Sequence, residues 1–155
     1  MKDEDFKGLK LTCYHQTSQK NAKALVFFLP DFGVSAKNFG GVFQQLSTEY
    51  GVRSYSFDRR GFGASQGRRG DLLIDDRSFR DHWDFFDSCS FLRGYPQALP
   101  KILISHGLGS LYAAILCSQR PGFFKASVSI SPWLGMAGTP SQFQMAILRA
   151  KAFTS

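Results

Sequence analysis

The stretch ILISHGLGS, residues 102–110, joins an apolar run to a second apolar segment through a short turn that contains two glycines. The run that ends at Ser105 is typical of a buried strand, and the periodic segment 108–120 is typical of a helix. A Pro-Gly pair at 121–122 ends that helix. The sequence therefore predicts a strand, a sharp turn centred on Gly107 and a helix, in that order.

The same alternation of strand and helix runs through the rest of the chain. Apolar runs predict strands at 9–15, 24–29, 52–57, 101–105 and 126–130, and apolar spacing of three and four residues predicts helices at 39–50, 79–92, 108–120 and 142–153. Ser35 is the predicted N-cap of the first helix. Strands that are apolar along their whole length and alternate with helices indicate a parallel sheet covered on both faces. Ligands bind at the carboxyl ends of such strands, so the loops after Leu29, Phe57 and Ser105 are the candidate site loops.

Composition limits the class of protein. The chain has 155 residues, 43% of them hydrophobic, and a formal net charge of +7. That length is typical of one globular domain. The charge alone would fit nucleic acid, but the basic pairs 59–60 and 68–69 lie beside acidic residues and no recognition helix accompanies them. We therefore expect a solvated basic face and no nucleic-acid partner.

The three cysteines, Cys13, Cys89 and Cys117, are widely spaced and form no metal-ligand pattern, so we expect no metal. The charged start, residues 1–5, lacks the apolar core of a secretory signal, and no apolar run is long enough to cross a bilayer. These features fit a reducing compartment. We expect a cytoplasmic protein, with peripheral membrane contact as an alternative.

Three further segments carry a resemblance to a known family. Residues 53–70, RSYSFDRRGFGASQGRRG, resemble the Asp-x-Arg-Gly-His-Gly-x-Ser-x-Gly segment of monoacylglycerol lipases and lysophospholipase-like proteins of the serine aminopeptidase S33 group. The matching residues are Asp58, Arg60, Gly61, Gly63, Ser65 and Gly67. Phe62 replaces the usual His. Residues 28–33 take the place of the oxyanion loop Leu-His-Gly-x-Gly, and residues 129–132 resemble the strand end that leads into the cap.

The resemblance implies an α/β-hydrolase fold, a three-layer α/β/α arrangement around a mostly parallel sheet. Residues 1–134 would form the N-terminal half of the core, and residues 135–155 the start of the cap, or lid. The later strands of the fold have no counterpart here, so the sheet would be incomplete and its last strand would expose an edge. We expect that edge to be completed by a partner polypeptide or by a missing C-terminal half.

The resemblance also assigns roles to the turn at residues 105–109. Its pattern is that of the nucleophile elbow, small-x-Ser-x-Gly, in which the serine attacks the substrate. Gly107 stands at the nucleophile position, so the serine is lost, and Ser105, His106 and Gly109 are the supporting residues of the elbow. Glycine adopts the strained backbone of such a turn readily.

The oxyanion hole would be formed by the backbone amides of Phe32 and Leu108. Pro30 and Asp31 replace the His-Gly of the family, which removes a backbone donor and places a carboxylate near the developing charge. An alternative is that Asp31 only caps the following turn. None of the histidines, His15, His82 and His106, is a credible base, and we expect His82 to be an ordinary surface or boundary residue.

Three hypotheses follow. The first is that the chain is a catalytically inactive pseudoenzyme that serves as a binding or structural element. The second is that it is a fragment of a carboxylic-ester hydrolase of lipid metabolism. In the second case the substrate would be an acyl ester such as a monoglyceride or lysophospholipid. The third is a membrane-surface role for the helix predicted at 142–153, which combines Phe143 with Arg149 and Lys151. The resemblance implies no cofactor.

Overall fold

The structure, a computed structural model, describes residues 2–6, 9–16, 22–71, 74–91 and 99–134. Six strands form one sheet: β1 (Lys2–Phe6), β2 (Leu9–Gln16), β3 (Leu25–Leu29), β4 (Arg53–Phe57), β5 (Lys101–His106) and β6 (Ala126–Ile130). Three α-helices accompany them: α1 (Gly40–Tyr50), α2 (Asp76–Phe91) and α3 (Gly109–Gln119). A 3₁₀-helix, Ala36–Phe39, precedes α1.

The strand order in this sheet is β1-β2-β4-β3-β5-β6. The pairs β4–β3, β3–β5 and β5–β6 are parallel, whereas β2 pairs antiparallel with β1 and with β4. The parallel part follows from the sequence, because each apolar strand returns to the sheet through a helical crossover. The predicted α/β fold with a mostly parallel sheet is confirmed.

The strand β1 was not predicted. Its residues, KDEDF, are mainly charged, yet they pair antiparallel with β2 from Lys2↔Cys13 to Phe6↔Leu9. Charged side chains are compatible with a strand at the edge of a sheet, where they also oppose edge-to-edge association. The apolar pattern that predicts the other strands is therefore absent from this one.

The two faces of the sheet are covered differently. On the face of Phe27, α2 and α3 enclose an aromatic core in which Phe86 lies 5.0 Å from the Phe27 ring, centroid to centroid. On the opposite face, the Phe28 ring contacts Phe39 at 4.2 Å and Phe43 of α1 at 5.8 Å. The aromatic content of the sequence thus fills the space between sheet and helices, where edge-to-face pairs add to the burial of area.

The strand β6 is exposed over its whole length. Among the described strands it pairs only with β5, in the register Ile104↔Val128 and His106↔Ile130. Because side chains alternate along a strand, Val128 and Ile130 lie on the face of the sheet that α1 covers farther along. They are 49% and 48% exposed, and Leu134 just beyond is 61% exposed.

Several predictions concern details of the helices. Ser35 caps the 3₁₀-helix, accepting from the Lys37 amide at 3.2 Å, so its assignment to α1 was wrong: α1 itself begins at Gly40. Gly51 ends α1 in the left-handed conformation, at φ 67°. The helix predicted at 142–153 and the cap segment 135–155 lie outside the described residues. No described helix is long and apolar enough to cross a membrane.

Candidate active site

The three loops that follow β3, β4 and β5 meet at one end of the sheet. The loop after β3 carries Asp31, the loop after β4 carries Arg59, and the loop after β5 carries Gly107. The amide of Leu108 donates to Asp31 Oδ1 at 2.7 Å, and Arg59 Nη2 donates to the backbone oxygen of Asp31 at 3.3 Å. Parallel strands place their carboxyl ends along one edge, which brings together loops that are far apart in sequence.

Gly107 lies at the apex of the strand-to-helix turn. Its φ is 53°, in the left-handed region that glycine adopts without cost. Its amide donates to the carbonyl of Ile130 at 3.1 Å, and its carbonyl accepts from the amide of Trp133 at 3.0 Å. Both backbone polar groups are therefore hydrogen-bonded to the segment from the end of β6 to Trp133, and these bonds hold the turn in place.

The predicted supporting residues flank this apex. Gly109 is required by packing, because a Cβ there would overlap the carbonyl oxygen of Leu29 and come within 2.8 Å of that of Pro30. Ser105 is fully buried, with its hydroxyl 3.2 Å from that of Ser110. His106 is half-buried, and its Nδ1 has no hydrogen-bond partner among the described residues. These contacts give Gly109 and Ser105 structural roles at the turn.

Asp31 occupies the space in front of Gly107. Its Oδ1 accepts from the amides of Phe32 and Leu108, each at 2.7 Å. A Cβ built on Gly107 would overlap the carboxyl carbon and both carboxylate oxygens of Asp31. The two amides predicted to form the oxyanion hole are thus brought together, but on an oxygen atom that belongs to the chain itself. Asp31 does more than cap a local turn, since Leu108 lies in another element.

Arg59 contacts the backbone oxygen of Asp31. It is only 5% exposed, and its guanidinium lies 4.8 Å from the centre of the Tyr112 ring and 5.1 Å from that of Phe62. Burial lowers the pKa of Arg59, and interactions with Tyr112 and with the charge of Asp31 act in the opposite direction. The expectation of a solvated basic face was wrong for this residue. Its planar cation lies over two aromatic rings. No local pattern in the sequence predicts that these rings are close to Arg59.

Asp58 organises the loop after β4. The carboxylate is fully buried and accepts from the Tyr14 hydroxyl, the Ser35 hydroxyl and the amides of Ala36 and Ala64, at 2.8–2.9 Å. A Cβ on Gly63 would overlap this carboxylate, and Gly63 has a φ of 50°. A buried carboxylate is retained only when hydrogen bonds replace its lost hydration. Asp58 therefore has a structural role, holding the loops after β3 and β4 together.

Two further contacts fix the glycine-rich loop. The Ser65 hydroxyl accepts from the amide of Thr12 in β2 at 2.8 Å and donates to the Asp58 carbonyl at 2.5 Å. Arg60 forms a two-pronged ion pair with Asp81 of α2, with N–O distances of 3.0 and 2.9 Å. Four of the motif residues, Asp58, Arg60, Gly63 and Ser65, thus position the loop beside the site.

His82 was expected at the surface or boundary, and the structure shows that this was wrong. It is 1% exposed, stacked on Tyr112 with ring centroids 5.1 Å apart, and its Nδ1 lies 2.6 Å from the Ser78 carbonyl. Burial lowers the pKa of His82 to about 3, although the Ser78 carbonyl acts to raise it and the charge of Arg59 to lower it further. The neighbouring apolar positions Phe79 and Phe86, three before and four after, were the signal for this burial.

The described residues contain no group of three or more His, Cys, Asp or Glu side chains placed to hold a metal ion. The site consists of two converging backbone amides, the carboxylate of Asp31 bound to both, and a buried guanidinium that donates to the backbone oxygen of Asp31. Such an arrangement stabilises negative charge. It has no side-chain oxygen at the apex of the turn.

Comparisons with known proteins agree with this architecture. The model of the family described as serine aminopeptidase, S33 matches residues 20–154. Monoglyceride lipase of Homo sapiens is 29% identical over 147 residues, which cover 93% of this chain and 46% of the human protein. Monoglyceride lipase of Mus musculus is 26% identical with the same coverage. The chain therefore spans about half the length of these lipases.

Solved structures share the fold. A monoglyceride lipase from Saccharomyces cerevisiae superposes with a TM-score of 0.72 at 21% identity, over 84% of this chain and 43% of the other. Est1E from Butyrivibrio proteoclasticus, solved with ferulic acid, superposes with a TM-score of 0.74 at 16% identity, over 99% of this chain and 71% of the other. The family match extends over most of the sequence, and we conclude that this chain belongs to the serine aminopeptidase S33 family of α/β-hydrolases.

Proposed function

We propose that this chain is a catalytically inactive relative of the monoglyceride lipases, in which the hydrolase fold serves as a binding or structural element. The observation that carries the proposal is the pairing of Gly107 with Asp31. The apex of the turn has no atom that can attack a carbonyl, and the two amides suited to an oxyanion already bind a carboxylate. Acyl transfer through the elbow needs both a nucleophile and a free oxyanion hole.

The nearby hydroxyls offer no substitute nucleophile. Ser105 is fully buried and Ser110 is 1% exposed, and their hydroxyls lie 3.2 Å apart. Ser129 lies within 3.2 Å of the same Ser105 oxygen. Their hydrogen bonds join β5, α3 and β6, which is a structural use of serine. The buried, paired hydroxyls of Ser105 and Ser110 are poorly placed to attack a substrate ester, and the exposed Ser129 is hydrogen-bonded to Ser105.

The three histidines of the sequence do not supply a base at this apex. His82 lies in the aromatic core under α3 and has a pKa of about 3. His15 lies on β2 and stacks with Tyr55, at a centroid distance of 6.5 Å. His106 is adjacent in sequence, but no described hydroxyl is hydrogen-bonded to it. A general base has to lie within hydrogen-bond reach of the proton that it removes.

The test is a direct assay on the purified chain. We expect no labelling by a fluorophosphonate probe and no turnover of a short-chain nitrophenyl ester above a Gly107→Ala variant and heat-unfolded protein. The Ser105→Ala and Ser110→Ala variants serve as matched controls, since they would identify a substitute nucleophile. Stoichiometric labelling of a serine in the folded protein, lost in one of these variants, would contradict the proposal.

A second candidate is a fragment of an ester hydrolase that acts on monoglycerides or lysophospholipids. It is supported by the coverage of 46% of the human lipase, because a longer chain could carry further catalytic residues. The full-length message decides this. Codons for an Asp and a His in later strands would favour it, and a stop codon directly after Ser155 would count against it. Gly107 would still leave such an enzyme without the elbow hydroxyl.

A third candidate is a non-catalytic subunit whose sheet is extended by a β-strand of a partner polypeptide at β6. The edge residues, ASVSI, are exposed and include no charge or proline of the kind that blocks strand addition. Hydrogen exchange at 126–130 tests this in protein isolated from its native cells, with the recombinant chain as control. The alternate amides that point away from β5 should be protected only in the native material. Equal, rapid exchange of these outward amides in both samples would contradict it.

A further inference from the structure

The carboxylate of Asp31 is bound as a ligand would be bound. Its Oδ1 accepts two hydrogen bonds of 2.7 Å, from the amide of Phe32 in the loop after β3 and from that of Leu108 before α3. The two donors belong to elements 77 residues apart in sequence. Distances this short are those of hydrogen bonds in which one partner is charged. One oxygen atom therefore joins two separate elements of the fold.

Electrostatics at this position favour an anion. Arg59 is 5% exposed, and it contacts the backbone of Asp31 through a hydrogen bond of 3.3 Å. Burial lowers the pKa of Arg59, and the charge of Asp31 acts to raise it. The amide of Leu108 also lies at the positive end of α3. Two amides thus hold the carboxylate of Asp31, and a buried guanidinium on a third loop holds the backbone carbonyl of the same residue.

The shape of the position is set by Gly107. The absent side chain at this residue leaves the space that the Asp31 carboxyl group fills, since a Cβ there would overlap it. Asp31 as a residue is half-buried. A planar group of the size of a carboxylate fits between the two amides and the turn.

We infer that the oxyanion site of this chain is retained as a carboxylate-binding site whose permanent occupant is Asp31, and that a free monocarboxylate takes the site when that side chain is removed. The inference rests on the assignment of the two amides to an oxyanion site, made under the proposed function. It does not depend on whether the chain has lost catalysis. Asp31 here is an internal ligand that excludes other anions and joins the loop after β3 to the elbow.

Two variants give size-matched tests. Asp31→Ala removes the carboxyl carbon and its oxygens, which are the heavy atoms of formate. Asp31→Gly removes the Cβ as well, so the atoms removed correspond to the heavy atoms of acetate. We expect saturable shifts of the Phe32 and Leu108 amide resonances with formate in the first variant and with acetate in the second. The native chain should show no saturable shift with either anion.

The controls separate the site from general salt effects. Formamide is matched to formate in shape but is neutral, so its affinity for the Asp31→Ala variant should be about tenfold lower. Acetate should bind the same variant more weakly than formate, because the remaining Cβ meets its methyl group. Chloride at equal ionic strength should not reproduce the pattern.

The outcome that overturns the inference is a folded variant in which neither resonance saturates with its matched carboxylate. If either variant is unfolded in chloride, refolding in formate or acetate becomes the readout, and failure to refold likewise overturns it. Failure of the proposed function would appear elsewhere, as probe labelling or ester turnover by the native chain. The two results are therefore distinguishable.

Discussion

The carboxyl group of Asp31 lies where the first side-chain carbon of any residue other than glycine at position 107 would be. The two positions are therefore coupled in space: the loop after β3 can place a carboxylate on the Leu108 amide only because the apex of the elbow is bare. Restoring a side chain at 107 alone cannot rebuild a hydrolase elbow, because Asp31 has to leave first.

The first prediction concerns this pair. Gly107→Ala should destabilise the chain by about 2–4 kcal/mol, since it combines a left-handed backbone with overlap against Asp31. Gly122→Ala is the matched control, because Gly122 has a φ of 81° but nothing within 4 Å of an added Cβ. It should lose only about 1–2 kcal/mol. Urea unfolding curves measure both.

The coupling itself is tested by a double variant. In an Asp31→Ala background, Gly107→Ala should cost about as much as Gly122→Ala, because the overlap is gone and only the backbone cost remains. Additive losses from the two substitutions would mean that the carboxylate moves aside easily, and the spatial coupling would then be refuted.

The second prediction concerns the ion pair that holds the glycine-rich loop to α2. Arg60 and Asp81 have side chains that are 26% and 9% exposed, and their contact is two-pronged. A double-mutant cycle with alanine should give a coupling of about 1–3 kcal/mol. The exposed pair Arg77 and Asp75, at 57% and 33%, should give less than about 0.5 kcal/mol. Equal coupling in the two cycles would show that Arg60 does not fix the loop.

Much of the sheet was predictable because the sequence patterns that indicate its strands and helices are local. The buried strands are short apolar runs, and the helices between them carry apolar residues at helical spacing. These patterns depend on burial alone, so they predicted the alternation of strand and helix and hence the parallel core. The strand Lys2–Phe6 was not predicted, because its mainly charged sequence has no apolar pattern and its assignment rests on pairing with β2.

The site was predictable only in part. The bare apex at Gly107 and the amides of Phe32 and Leu108 follow from motif positions. The seating of Asp31 on both amides does not, because it joins residues 77 positions apart. Arg59 is buried between the rings of Phe62 and Tyr112, and contacts between distant segments leave no mark in a local pattern. His82, in contrast, had a local signal in its apolar helix face.

The third prediction concerns Asp58. Asp58→Asn should destabilise the chain by about 2–4 kcal/mol, because an amide cannot accept on both atoms the hydrogen bonds that the buried carboxylate accepts. Asp87→Asn is the control: this carboxylate is 35% exposed and pairs with Arg120, so the change should stay within about 0.5 kcal/mol. Equal thermal shifts would show that Asp58 is not the structural centre of the loop.

The fourth prediction is a pH dependence set by His82. In the folded chain burial lowers the pKa of His82 to about 3, while in an unfolded chain this residue titrates near the ordinary histidine pKa of 6.5. Protonation therefore favours the unfolded state. The stability that neutral, buried His82 contributes is fully present above pH 6.5. It is lost as the pH falls toward 3, at about 1.4 kcal/mol of unfolding free energy per pH unit. At pH 5 the loss from this residue is about 2 kcal/mol.

The measurement compares the native chain with His82→Phe, which fits the same aromatic surroundings of Phe57 and Tyr112 without titrating. Carboxylates add a slope of the same sign at low pH, but both proteins share them. The difference in unfolding free energy between the two proteins should therefore fall by about 2 kcal/mol between pH 7 and pH 5. A constant difference over this range would mean that His82 accepts a proton in the folded state, and its burial against the ring of Tyr112 would have to be abandoned.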